Sequence, residues 1–172
     1  GQPVENLADK RNLNKALLAN WSSVVRLGHS ATPAPTGHFT RKLSKIGGYA
    51  EIRGWGSERT PSLVANRANN AISFSTLTVP GRGVTVHPSP DKAAVVYWRS
   101  PIAGKIRLAG LVADADNKCG NGIEWNVEIV TRNGVSPIAD GAIDNGGRRK
   151  FKRDAELAVQ PGDLVKLAVS PR

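Results

Sequence analysis

Short apolar runs separated by strong turn signals constrain this chain more than any other feature. From Tyr49 onward a turn falls about every eight to twelve residues, which leaves room for strands and little for helices. The pattern predicts strands over Ala50–Gly54, Leu63–Asn66, Ile72–Leu77, Gly83–His87, Ala93–Arg99, Gly104–Val112, Ile123–Thr131, Ser136–Ala142, Arg149–Arg153, Glu156–Val159 and Leu164–Val169. Between them stand Asn69-Asn70, Pro80-Gly81, Pro88-Ser89-Pro90-Asp91, Asn133-Gly134, Asn145-Gly146-Gly147 and Pro161-Gly162-Asp163. Asn133-Gly134 is the strongest hairpin signal. Trp125, Val127 and Ile129 alternate with Glu124, Asn126 and Glu128, so this strand has one dry face and one wet face. One-sided antiparallel strands bury their dry faces by stacking two sheets or by closing a barrel. No βα alternation follows Tyr49, which argues against a doubly wound nucleotide-binding fold. The expected class is all-β, a jelly-roll-like antiparallel β-sandwich over residues 49–172.

Ahead of this region the pattern changes twice. In Val4–Leu27 the residues Leu7, Leu13, Leu17, Leu18, Trp21, Val24 and Val25 recur at spacings of three and four. That predicts an amphipathic helix in an N-terminal segment, residues 1–28, with Asp9 or Asn12 as cap and Gly28 as stop. Residues 29–48 hold Pro33, Pro35, Gly37, Gly47 and Gly48 and lose apolar periodicity, which predicts a linker or surface strap made basic by Arg41, Lys42 and Lys45. The chain begins at Gly1 and contains no Met, so a processed or excised piece of a longer protein, or an incomplete reading of one, is expected.

Composition narrows the function. Hydrophobic residues make up 40% of the 172, enough for a core and too many for a disordered chain. No apolar run reaches the ~18 residues a membrane helix needs. The lone cysteine, Cys119, excludes an internal disulfide and a cysteine-based metal site built by this chain alone. There is no CxxCH for haem attachment. GxSxG, HExxH, a Walker loop and GxGxxG before a helix are all absent. Glu124 and Glu128 share a strand face, but it is the wet face, where solvated charge is the ordinary state. A non-catalytic protein is expected.

One stretch carries a resemblance. Val86-His87-Pro88-Ser89-Pro90 is followed by Ala94-Val95-Val96-Tyr97-Trp98-Arg99-Ser100-Pro101-Ile102-Ala103-Gly104, then by Val112-Ala113-Asp114-Ala115-Asp116 and Cys119-Gly120-Asn121-Gly122-Ile123-Glu124-Trp125. With the glycine-rich turn from Gly141 to Arg148 and Gln160-Pro161-Gly162-Asp163-Leu164-Val165, this resembles an accessory module of large planctomycete envelope proteins. Those proteins also carry a planctomycete cytochrome-c-like domain and domains of unknown function. The resemblance spans roughly residues 84–170, and the Trp21 segment is similar to a helix that precedes the module. It implies a carbohydrate-binding-type β-sandwich, a periplasmic, envelope or secreted location, and haem on a neighbouring domain or chain. Relatives continue past the last strand with His–x–Cys–Asp and a further strand. The resemblance therefore implies that Cys119 lacks here the disulfide partner that lies just downstream in those relatives, and that an edge strand is missing, leaving a sheet edge open.

Three groups of residues are candidate sites. Sugar rings stack on aromatic faces beside polar groups, so Trp55, Tyr49, Tyr97 and Trp98, with Arg53 and Arg99, are the glycan candidates. Trp55 lies between glycines and is expected to be exposed. Tyr97 and Trp98 are adjacent in a strand, so they point to opposite faces and only one can be core. Trp125 belongs with the core. Asp114, Asp116, Asn117, Asn121 and Glu124 collect hard oxygen ligands of the kind calcium takes, although the spacing is not that of an EF-hand and turn chemistry also accounts for it. His29 and His38 lie in the linker with no third metal partner in view.

The third group is electrostatic. Lys and Arg number 24 against 14 Asp and Glu, a net charge of +10. Arg148, Arg149, Lys150, Lys152 and Arg153 form the densest run, interrupted by Phe151. Such a surface attracts polyanions, although alternation along a strand would split the run between two faces. The leading expectation is a glycan-binding module, for an anionic glycan, or one that binds a neighbouring polypeptide. The alternatives are an assembly subunit packing on other, haem-bearing chains, and a basic nucleic-acid binder, for which no RNA- or DNA-binding motif is present.

Overall fold

A computed structural model describes residues 23–27, 39, 41–43, 46–57 and 60–172. The strands are β1 (Ser23–Leu27), β2 (Lys42–Leu43), β3 (Ile52–Gly56), β4 (Ser62–Asn66), β5 (Ile72–Phe74), β6 (Leu77–Val79), β7 (Val84–His87), β8 (Lys92–Arg99), β9 (Gly104–Ala113), β10 (Ile123–Thr131), β11 (Gly134–Ile143), β12 (Arg148–Val159) and β13 (Leu164–Pro171). Every strand pairing among the described residues is antiparallel, and none of those residues is helical. The chain is therefore an all-β protein of antiparallel sheets.

The largest sheet has the order β1-β8-β13-β10-β11. A two-stranded ribbon pairs β12 with β9, a four-stranded sheet runs β2-β3-β4-β7, and β5 and β6 form a hairpin. The hairpin divides the single strand expected over Ile72–Leu77: Ser75 takes a positive φ of 53° and turns the chain there. Arg132 and Asn133 form the turn between β10 and β11, with Thr131 opposite Gly134, as the Asn-Gly signal predicts.

The N-terminal helix requires correction where it can be seen. Ser23–Leu27 is a strand, paired from Ser23 opposite Val96 to Leu27 opposite Lys92. The β-branched pair Val24-Val25 suits a strand, and β8 offers it a row of backbone donors and acceptors, so tertiary pairing overrides helical spacing. Residues 1–22 of the expected helix lie outside the described residues. Lys42–Leu43, within the expected linker, pairs with β3, and Leu43 is buried.

The ribbon packs on the large sheet. Val112 of β9 shares a core cluster with Trp125, Val127, Ile143 and Val169, and Phe151 of β12 packs against it. Further along, Leu157 and Val159 of β12 meet Ile129 of β10, with Ile106 and Leu108 of β9 alongside. Two aromatic rings close the layer. Phe151 lies against Gly110, its partner across the ribbon, and Trp125 lies against Gly141, its partner across β10 and β11. The two rings then meet each other, centroids 5.5 Å apart and tilted by 36°. A glycine under each ring lets these large side chains lie down within a layer about 10 Å thick. A separate core, Ile52, Val64 and Val79 with Ile72, Phe74 and Leu77, joins the four-stranded sheet to the hairpin.

The chain crosses between the large sheet and the ribbon four times, and the crossovers are tied in pairs. At one end Ser100 N–H donates to Asp163 O at 2.7 Å and Gly162 N–H donates to Ser100 O at 2.8 Å. At the other, Asp114 N–H donates to Gly147 O at 2.9 Å and Gly146 N–H donates to the Asp114 carboxylate at 3.2 Å. Asn66 organises the end of β4. It is fully buried, its amide donates to Asn70 O and Val79 O, and its oxygen accepts Ala68 N–H.

Candidate functional site

The ribbon sorts the basic run by alternation. Arg148, Lys150 and Lys152 lie opposite Ala113, Leu111 and Ala109 of β9, and all six residues are exposed. Arg149, Phe151 and Arg153 lie opposite Val112, Gly110 and Leu108, on the side that meets the core. Arg149 is nonetheless exposed, because it sits near the ribbon's end, while Arg153 is half-buried. The outward cations of β12 are thus about 7 Å apart, two strand residues each. Arg107 and Lys105 continue the outward row along β9 and are also exposed.

Few carboxylates answer this row. Lys105 and Arg107 each reach Glu156 at 3.5 Å, and Lys152 reaches Asp154 at 2.8 Å. The cationic side chains of those pairs remain 73–80% exposed, so the pairs hold weakly and are open to exchange for another anion. Arg148 and Lys150 form no ion pair among the described residues. Leu111, 54% exposed, stands in the middle of the row.

The aromatic candidates are not gathered. Of the adjacent pair, Tyr97 is the core member: it is 7% exposed and packed in the β8 core beside Val95, so its ring offers no stacking face. The Arg99 guanidinium lies 6.0 Å from that ring. Trp98, its neighbour in the strand, is half-buried. Trp55 is half-buried rather than exposed, and it lies on β3 of the four-stranded sheet whereas Trp98 lies on β8 of the large sheet. Arg53 is turned back on its own backbone, donating to Ala50 O and to Ile52 O.

The oxygen-rich loop spends its carboxylates on the fold. Asp114 accepts the N–H groups of Asp116 at 3.1 Å and of Gly146. Asp116 accepts Lys118 N–H at 3.0 Å and the Thr76 hydroxyl, and Thr78 N–H donates to Ala115 O at 3.1 Å, so the loop clamps the β5–β6 hairpin. Partial burial pushes the Asp116 carboxyl up. The Thr76 hydroxyl, the N–H groups of Lys118 and Cys119 and the nearby His87 imidazole outweigh it and hold the carboxyl below the ordinary carboxylate range. Asn117, Asn121 and Glu124 are exposed, and no group of three or more His, Cys, Asp or Glu converges for a metal among the described residues. Cys119 is an exposed free thiol beside this loop.

On the other face of the large sheet Glu128, expected as solvated charge beside Glu124, is instead mostly covered and paired. Lys166 of β13 lies opposite Glu128 of β10 and its Nζ is 2.6 Å from Glu128 Oε2, with side-chain exposures of only 14% and 22%. Asn126 Nδ2 donates to Glu128 Oε1 at 2.9 Å. Lys166 is far from Asn126 and Glu128 in sequence, and only strand register brings it to them. No family model, no characterised protein and no solved structure matches the chain.

Proposed function

We propose that the chain is a non-catalytic recognition module that binds an anionic polysaccharide, uronic or sulfated, along the outward face of the β9–β12 ribbon. The observation that carries this reading is the row Arg148, Lys150 and Lys152 with Arg107 and Lys105, all exposed and thinly neutralised. A flexible chain bearing one charge per sugar or two can lie along regularly spaced cations without a cleft. With Tyr97 buried and the two half-buried tryptophans on different sheets, the reading rests on ionic rather than stacking contacts. The ribbon covering one face of the large sheet supports a jelly-roll-like sandwich, and the resemblance of residues 84–170 supports a place in a planctomycete envelope or secreted multidomain protein.

Retention on uronic and sulfated polysaccharides, measured against neutral ones at several salt concentrations, tests it. Binding that weakens steeply with salt and is lost when Arg148 and Lys150 become alanine is expected. Equal binding to neutral glycans, or none to the anionic ones, overturns it. Exposed Leu111 within the basic row favours one second reading: an acidic polypeptide, including a haem-bearing neighbour, docked on the same face. Tighter retention on DNA than on sulfated polysaccharide would instead favour a nucleic-acid binder.

A further inference from the structure

We propose that Lys166 and Asn126 are joined by an intramolecular isopeptide bond, formed by the protein itself with Glu128 as the proton-transfer group. The inference rests on the polar group of the large sheet and is independent of what the ribbon binds. An amine, a carboxamide and a carboxylate are the three functional groups such a bond requires. Here one carboxylate holds the other two: Glu128 Oε2 lies 2.6 Å from Lys166 Nζ and Glu128 Oε1 accepts the Asn126 amide at 2.9 Å. Register fixes them on one face, since Lys166 lies opposite Glu128, and Ala168, two residues on, lies opposite Asn126. The same rows continue into β8 with Tyr97 opposite Lys166 and Val95 opposite Ala168, and both of these residues are buried. The amine and carboxylate are thus held beside apolar surface with little access to water.

That setting permits the chemistry. A single proton transfer along the existing Lys166–Glu128 contact gives an amine and a carboxylic acid. The amine is then a nucleophile. A half-turn of the Asn126 carboxamide brings Oδ1 to the protonated Glu128, which polarises Cγ. Lys166 Nζ attacks Cγ and forms the new C–N bond. Cγ–Nδ2 breaks, and the two protons shed by the ammonium pass through Glu128 to Nδ2, which leaves as ammonium. Glu128 returns to carboxylate. One amide replaces another, no oxidant or reductant takes part, and the event happens once per chain. Holding amine and amide on one carboxylate supplies the proximity that makes an otherwise sluggish aminolysis feasible.

Mass spectrometry of the intact, purified protein decides the matter. The wild-type chain is expected one ammonia lighter than its sequence mass, and digestion is expected to release a branched peptide joining Lys166 to Asn126. Lys166→Arg keeps the cation but removes the nucleophile, and Glu128→Gln removes the proton carrier, so both are expected at their full sequence masses. A wild-type chain at full mass, with Asn126 and Lys166 recovered in separate linear peptides, overturns the proposal. So does an ammonia loss that persists in Lys166→Arg, which would place the reaction at an Asn-Gly pair such as Asn145-Gly146 instead.

Discussion

The Phe151 ring occupies the space a side chain at Gly110 would need: a Cβ built on Gly110 falls 2.5 Å from the ring. The two residues are cross-strand partners, and the ring also meets Trp125 of the opposite layer. The alanine methyl in Gly110→Ala must therefore lift the ring and disturb the Trp125 contact. A loss of about 1–3 kcal/mol is expected, the usual cost of overpacking. In Phe151→Leu the space beside Gly110 is partly vacated, so adding Gly110→Ala there should cost clearly less. Urea denaturation of the four proteins in this cycle checks it; additive losses would show that the ring and the glycine are not coupled.

Asn66 should matter more than its polar character suggests. Its side chain is fully buried and every partner is backbone: Asn70 O, Val79 O and Ala68 N–H. Asn66→Ala strands these groups in a site water does not reach, and about 3 kcal/mol of stability should be lost. Asn66→Asp keeps the acceptor for Ala68 but puts a carboxylate against two carbonyl oxygens, so it should be no better than alanine. Thermal or urea unfolding distinguishes this from a tolerant surface site, where either change would be nearly silent.

The loop that clamps the β5–β6 hairpin should respond to acid. The Asp116 carboxyl is held below its ordinary value in the folded protein, by hydrogen bonds that outweigh the opposing effect of partial burial. A carboxyl lowered on folding contributes stability that is fully present above its unfolded value, about 3.9. That contribution is lost as pH falls through the folded value. Protection of the β5–β6 hairpin amides, taken relative to the intrinsic exchange rate at each pH, is therefore expected to fall more steeply with acid in the wild type than in Asp116→Asn. Parallel pH profiles would mean that this carboxylate does not tie the hairpin down.

What the sequence disclosed follows from the range of each interaction. Trp125, Val127 and Ile129 show their burial by alternation alone, because a strand's period is local, and Asn133-Gly134 marks its hairpin for the same reason. Ser75 does not announce its positive φ, so the β5–β6 turn is invisible in the text. Ser23–Leu27 carries helical spacing, yet pairing with β8, nearly seventy residues away, gives it a strand. The basic run is plain in composition, but which of its members face outward depends on pairing with β9. Lys166 is unremarkable singly, and Glu128 reads as solvated charge on a wet face. Their meeting depends on the order β13-β10, which no local pattern encodes.

The outward row of the ribbon can be weakened without weakening the fold, and this separates recognition from structure. Arg148 and Lys150 are exposed and make no ion pair among the described residues, so replacing both by alanine should change stability by no more than about 0.5 kcal/mol. Affinity for a sulfated or uronic polysaccharide should nevertheless fall by about tenfold or more, the equivalent of ~1.4 kcal/mol. Arg149→Ala, on the ribbon's other parity, should have a smaller effect on affinity. Trp98→Ala tests stacking directly: if the ligand is held by charge, its affinity should stay within about twofold, after allowance for any loss of stability from the half-buried ring. Titration calorimetry at low and moderate salt, with each variant's unfolding curve beside it, reads all of these effects. Affinity that follows Trp98 rather than Arg148 and Lys150 would move the binding surface from the β9–β12 ribbon to β8.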